Sequence, residues 1–301
     1  MKYQKPSLTI IQQIAHWQTK GLVIADHSTA EASLQYIGLF RLKGYALPLM
    51  QQTISGRQFY PGTTLEDILK NYQFDRELRI LVMRELESIE VAIRTVISNT
   101  LSVQLNDPFW YMNSNQSFDL QVARGNETTT FNHSQFLIDV DTETRRSKDV
   151  FAKHYFKKYT DPALPPSWVA AECLSFGKWS RLYEHLKVGK TPIASQFGLG
   201  VDVLLSWLHC LSYLRNVCAH HGMVYRRTFV FRPKTYQRER QHFVKNQSFY
   251  CYAAVMQILL KSMHQQPQWP KLLEAHFINN PNIALTSIGF PNGWEAMSLW
   301  N

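Results

Sequence analysis

Residues 74–105 read FDRELRILVMRELESIEVAIRTVISNTLSVQL. Val82, Leu86, Ile89, Ile93 and Val96 fall at alternating steps of four and three. That spacing lines up one face of an α-helix, because 3.6 residues complete a turn. A half-buried strand would alternate at every second residue, which this stretch does not do. Beside the apolar line run Glu87, Glu90 and Arg94. The simplest expectation for them is a solvated face with Glu90 and Arg94 paired across one turn. The alternative is a line of charge that borders a cleft.

Helical spacing recurs on both sides of this segment. Pro6–Lys20 is expected to be a helix, with Pro6 near its start and Gly21 past its end. Ser28–Ile37 is expected to be a second, capped by Ser28 or Thr29. Thr64 is expected to cap a short helix, TLEDILKNY, ahead of Phe74. Residues 106–149 are polar and read as a loop-rich region. Within them Asp139-Val140-Asp141 resembles the DxD of nucleotidyltransferases, but no Gly-Ser phosphate loop lies upstream. Helices are expected again at Phe151–Tyr159, Trp168–Phe176, Lys178–Leu186, Val201–His221 and Phe249–His264. The tail from Pro267 carries Trp269, Trp294 and Trp300 and is expected to dock. The fold class is therefore all-α, with at most a short β-ribbon around Val224–Phe231. Three parts are expected: an N-terminal helical extension (1–66), a helical core (67–265) and a docking tail (266–301).

The 301 residues are 45% hydrophobic, enough for a sizeable core, and carry a formal charge of +9. That balance suits a polyanion partner. No apolar run approaches the length of a membrane span, and MKYQKPSLTIIQQI has no signal-peptide pattern. The expected location is the cytoplasm. Cys173, Cys210, Cys218 and Cys251 include no CxxC pair, and Cys210 and Cys218, in an apolar helical run, read as small core residues in a reducing compartment. No metal or cofactor is expected.

Chemistry concentrates at Leu214–Arg227, LRNVCAHHGMVYRR. On a helix over Val201–His221, residues Val203, Trp207, Cys210, Leu214, Val217 and His221 share one face, taken as the core side. His221 is accordingly expected to be a satisfied core histidine or a support to the site. Asn216 and His220 are four apart and point off that face. Arg215 lies about 140° from His220 around the axis, at about 100° per residue. The two converge only if the helix loosens near Ala219 or the long arginine wraps around. Histidine ordinarily titrates near neutrality and can move a proton. An arginine fork can hold a phosphate and stabilise charge building on it. RNA supplies its own nucleophile, the 2′-hydroxyl, so such a pair suits metal-independent RNA cleavage. Adjacent histidines without HExxH or a third ligand do not suit a metal.

Downstream, YRRTFVFRPKTYQRER (225–240) sets Arg226, Arg227, Arg232, Lys234, Arg238 and Arg240 against Glu239 alone. Tyr225, Phe229, Phe231 and Tyr236 are interleaved. Cations that track phosphates and rings that stack on bases suit single-stranded RNA. The alternative is a basic surface hairpin that keeps the protein soluble.

LRNVCAHHGMVYRR resembles the signature of the Abi-like family, the AbiD/AbiF group of bacterial abortive-infection proteins. KPSLTIIQQI, KGLVIAD, IGLFRLKGYALPL, FDRELRILVMRELESIEVAIR, PPSWVAAECLSFGKWSRLYEHL and IGFPNGWEAMSLW are similar too, in order along nearly the whole chain. The family is placed in the HEPN superfamily, helical proteins that often act as metal-independent ribonucleases through R-x4–6-H. The resemblance implies a HEPN-type bundle in which His220 is a general acid or base, Arg215 stabilises the transition state and Asn216 positions the site. HEPN nucleases commonly join two such motifs. Here Arg94 is followed at the corresponding spacing by Ser98 and Asn99, not His. One chain then supplies a half-site, and a homodimer is expected. Arg226, Arg227, Arg232, Lys234 and Tyr236 are the expected RNA contacts, with His221, Glu90 and Arg94 in secondary roles. Two further hypotheses stand beside the endoribonuclease: a non-catalytic protein holding a structured non-coding RNA, and an α-helical scaffold without nucleic acid.

Overall fold

The computed structural model describes the chain except residues 1, 3, 5, 55, 126 and 264–266. It is helical throughout, with two small hairpins. Helix α1 (Ile10–Gln18) begins at a Thr9–Gln12 capping box. Helix α2 (His27–Tyr36) is capped by Asp26, not Ser28 or Thr29, because the Asp26 carboxylate accepts from both their amides. Helix α3 (Leu39–Ala46) leads into the hairpin of β1 (Met50–Thr53) and β2 (Gly56–Phe59).

Helix α4 (Leu65–Leu105) is the axis of the molecule. It absorbs both TLEDILKNY and the segment from Phe74 in one rod of 41 residues. Thr64 caps it as expected, in a reciprocal box with Asp67. The apolar line predicted for it is buried at Val82, Leu86, Ile89 and Ile93. Around it pack α3, α8 (Ser167–Cys173), α9 (Phe176–His185), α10 (Lys190–Gln196), α11 (Val201–Ala219), α12 (Phe249–Ser262) and α13 (Trp269–Ile278).

Residues 106–149 are more ordered than their composition predicts. They hold α5 (Ser114–Ser117), a hairpin of β3 (Gln121–Arg124) and β4 (Glu127–Thr130), and α6 (His133–Arg146), followed by α7 (Val150–Lys158). The acids of the DxD are engaged in ion pairs, Asp139 with Lys178 at 2.8 Å and Asp141 with Arg145 at 2.6 Å. No strand forms over 224–231; that segment is pinned from both sides as coil. The expected end of the Phe249 helix at His264 lies outside the described residues. The tail docks: Trp269, Trp294 and Trp300 are all buried. All four cysteines are free thiols. No single helix among the described residues is long and apolar enough to cross a membrane. Helices α10 and α11 reach that length only as a pair bent by 73°, and α11 spends its apolar stripe on the core.

Candidate functional site: an arginine cleft and a capped helix end

Helix α11 buries Leu204, Trp207, Leu208, Leu211, Leu214 and Cys218 against α4, α9 and α12. The buried stripe is thus rotated from the one the sequence suggests, with Val203 and Val217 at its margin. The helix stays regular to Ala219, and His220 is its C-cap. The Gly222 amide donates to the Val217 carbonyl at 2.7 Å, and the His221 amide to Cys218 at 3.0 Å. This pair of bonds is a Schellman closure, which needs a left-handed residue just past the cap. His221 takes that role with φ of 57°. Gly222 is required for closeness: a Cβ there would meet the Val217 carbonyl at 3.1 Å.

The left-handed step swings His221 off the helical face. It is exposed, not the buried core histidine expected from the spacing. Its carbonyl accepts from Arg41 Nη1 at 2.7 Å. His220 and Asn216 are exposed on the solvent side, as expected.

The segment after the cap is fixed by a buried carboxylate. Asp75, fully inaccessible on α4, accepts from the amides of Val224 (3.0 Å) and Tyr225 (2.6 Å) through one oxygen. Its other oxygen accepts from Tyr45 Oη at 2.6 Å and pairs with Arg79. Burial pushes the Asp75 carboxyl above its ordinary value against the pull of Arg79, Tyr45 and the two amides. The exit of α11 is therefore held from α3 and α4 at once. Sequence reading missed Asp75, because an acid on a long helix reads as surface.

Arg215 turns the other way from His220. It enters a cleft of about 560 Å³ between α4 and α11, lined by Glu87, Glu90, Arg94 and Arg215 over an apolar floor. The charged line on α4 thus borders a cleft instead of forming a solvated face. Arg94 pairs with Glu172 of α8 at 2.7 Å, and not with Glu90. Glu90 faces Arg215, Oε2 to Nε, at 3.6 Å, an ion pair too long for a hydrogen bond. The Nε atoms of both Arg94 and Arg215 are buried without a hydrogen-bond partner. Burial raises the Glu90 carboxyl, opposed by Arg215, Arg94 and the Phe176 amide. Two guanidiniums with unbonded Nε atoms thus share one cleft with the Glu87 and Glu90 carboxylates.

Arg94, Arg215, Asn216 and His220 all fall inside a stretch that matches a known family. The model of the Abi-like protein family covers residues 32–226 of the 301. The chain belongs to the Abi-like protein family. Membership implies a role in abortive-infection defence. No curated protein and no solved structure matches this Abi-like protein.

Most of the basic segment lies beyond the matched stretch, and its rings turn inward. Tyr225 and Phe229 are buried, and Phe229 stacks on Tyr252 at 4.3 Å. Phe231 stands edge-on to Tyr213 at 5.2 Å. Tyr236 meets Trp207 edge-on at 6.0 Å and donates to the Gly198 carbonyl at 3.2 Å. Arg227 spends itself on the Met223 carbonyl (2.5 Å) and the Tyr213 hydroxyl (3.1 Å). Lys234 pairs with Asp202 at 2.7 Å. Arg226, Arg232, Arg238 and Arg240 are exposed cations. The interleaved rings of this Abi-like protein thus anchor the segment to α11 and α12 and do not face solvent as a stacking surface. Among the described residues no three His, Cys, Asp or Glu side chains gather where they could hold a metal ion, and no hydrogen bond or ion pair joins Arg215 to His220.

Proposed function

We propose that this Abi-like protein is a HEPN-type, metal-independent endoribonuclease whose action on RNA effects abortive infection. The observation that carries the reading is the cleft. Arg215 and Arg94 bring two guanidiniums with buried, unbonded Nε atoms into one space, and exposed His220 caps the same helix as Arg215. A phosphodiester entering the cleft takes the place of the Glu90 and Glu172 carboxylates as partner of the arginines. The 2′-oxygen attacks phosphorus, the bond to the 5′-oxygen breaks, and His220 handles a proton at one of these oxygens. The arginines stabilise the charge that builds on the phosphoryl oxygens. The products are a cyclic 2′,3′-phosphate and a 5′-hydroxyl.

In one chain Arg215 and His220 point to opposite sides of α11, so the reading includes a homodimer whose second copy brings another motif to the site. The same observation favours a second reading, a non-catalytic RNA-binding protein that uses the arginines alone. Cleavage of unstructured RNA by the purified chain separates the two. On the first reading activity survives EDTA, His220→Ala and Arg215→Ala each lower the rate by at least about 100-fold, and light scattering shows a dimer. Products bearing 5′-phosphate, or His220→Ala at wild-type rate, would overturn it.

A further inference from the structure

A second basic, ring-bearing segment lies at α7 and α8, and there the rings are exposed. A cleft of about 870 Å³ opens between them, within the size range of ligand sites. Phe109, Phe151, Tyr159 and Trp168 line it, with His154 and Asp161 among them. Phe151, Tyr159 and Trp168 are 39%, 44% and 50% exposed. The chain has eight tryptophans, and the other seven are buried, so Trp168 alone faces solvent. Lys153, Lys157 and Lys158 are exposed on α7, and none pairs with a carboxylate among the described residues. Lys158 Nζ sits over the Tyr159 ring, 5.2 Å from its centre.

Helix α8 joins this cleft to the arginine cleft. Trp168 and Glu172 are four residues apart on it, hence neighbours about 5–6 Å apart on one face. Glu172 is the residue paired with Arg94. A strand whose phosphate displaces Glu172 from Arg94 arrives at Trp168 within about one nucleotide's reach.

We propose that the α7–α8 cleft is a stacking platform for unpaired bases of the single-stranded RNA that enters the arginine cleft, with Lys157 and Lys158 on its phosphates. The proposal rests on the RNA reading above and says where the strand is held. Flat rings with unpaired cations beside them suit bases and phosphates. An acidic peptide would match the lysines and Arg94, but it makes less use of four rings gathered in one cleft than unpaired bases do. Asp161 also lines the cleft and can accept from a base N–H.

The test uses the full chain carrying His220→Ala, which keeps RNA intact, and a fluorescein-labelled oligouridylate. RNA should quench tryptophan emission, and Trp168→Phe should abolish the quench while retaining most of the affinity. Trp168→Ala and Tyr159→Ala should each weaken binding about 5- to 150-fold, the range for loss of one stacked base. Lys157→Gln with Lys158→Gln should flatten the slope of log affinity against log salt by about 1.4. Should an alanine variant fail to fold, the quench and its loss in Trp168→Phe still decide. RNA that binds with unquenched emission and unaltered affinity in the ring variants overturns the platform alone. So do ring variants that convert a dimer to monomer while RNA affinity is unchanged, or that lose only peptide binding. Absence of RNA binding by the parent, even at low salt, overturns the RNA reading and the platform with it.

Discussion

Tyr225–Arg240 and Val150–Trp168 look alike as strings, each a run of cations interleaved with rings, and fold to opposite ends. In the first, Phe229 is fully buried and stacked on Tyr252, while in the second Trp168 is half exposed. What separates them is the number of elements that cover them. Tyr225–Arg240 leaves α11 and is overlaid by α12, so its rings find apolar partners on both sides. Helix α7 fully buries only Ala152 and Tyr155, half-buries Phe156 under Arg145, and leaves Phe151 and His154 exposed. A ring beside a cation signals a stacking site only when the core has no use for it.

The contrast breaks most readily on stability. Phe229→Ala removes a fully buried ring and should cost about 3–5 kcal/mol, read as a fall in urea midpoint. Phe151→Ala should cost under about 1 kcal/mol, because the ring is already wet. Equal losses would erase the distinction. A smaller effect separates two adjacent arginines. Arg227→Gln gives up bonds to Met223 and Tyr213 and should cost about 1–2 kcal/mol, whereas exposed Arg226→Gln should stay within about 0.5 kcal/mol. Thermal melting of the two variants side by side checks it.

The smallest expected difference is in pH dependence. His242, buried beside Tyr250 and Glu239, has its pKa lowered chiefly by burial. The unfolded chain takes up that proton near pH 6.5, while the folded protein resists until lower pH. Its contribution is therefore complete above about 6.5 and is lost as the pH falls below that value. Melting temperature should drop from pH 7 to pH 5, and His242→Gln should flatten the drop.

Legibility in the sequence followed how much apolar patterning each element carries. Helix α4 was readable from Val82 to Ile93, but its continuity through residues 71–75 was not. There two of the three buried side chains are polar, Asn71, which bonds the Tyr45 carbonyl, and Asp75, and beside Phe74 they do not register in an apolar pattern. Helix α6 was missed because its buried set is only Phe136, Val140 and Thr144, in a segment otherwise polar. Asn216 and His220 were placed off the core because they lie inside regular helix or at its cap. His221 was misplaced because one left-handed residue rotates everything after it. The Arg94–Glu172 pair spans 78 residues and leaves no local trace, so the nearer Glu90 was paired with Arg94 instead.

The knot at Asp75 sets a timetable for synthesis. Arg41 must meet the His221 carbonyl 180 residues later, and Asp75 must meet Tyr225 at a separation of 150. At about 5–20 residues per second, roughly 10–40 s pass on the ribosome between the first of these partners and the last. Arg94 is made early in that interval, and Arg215 and the residues that clamp the end of α11 only at its close. Any chain cut short before His221 lacks the clamp altogether. The geometry at the end of α11 therefore arrives in a single late step of synthesis.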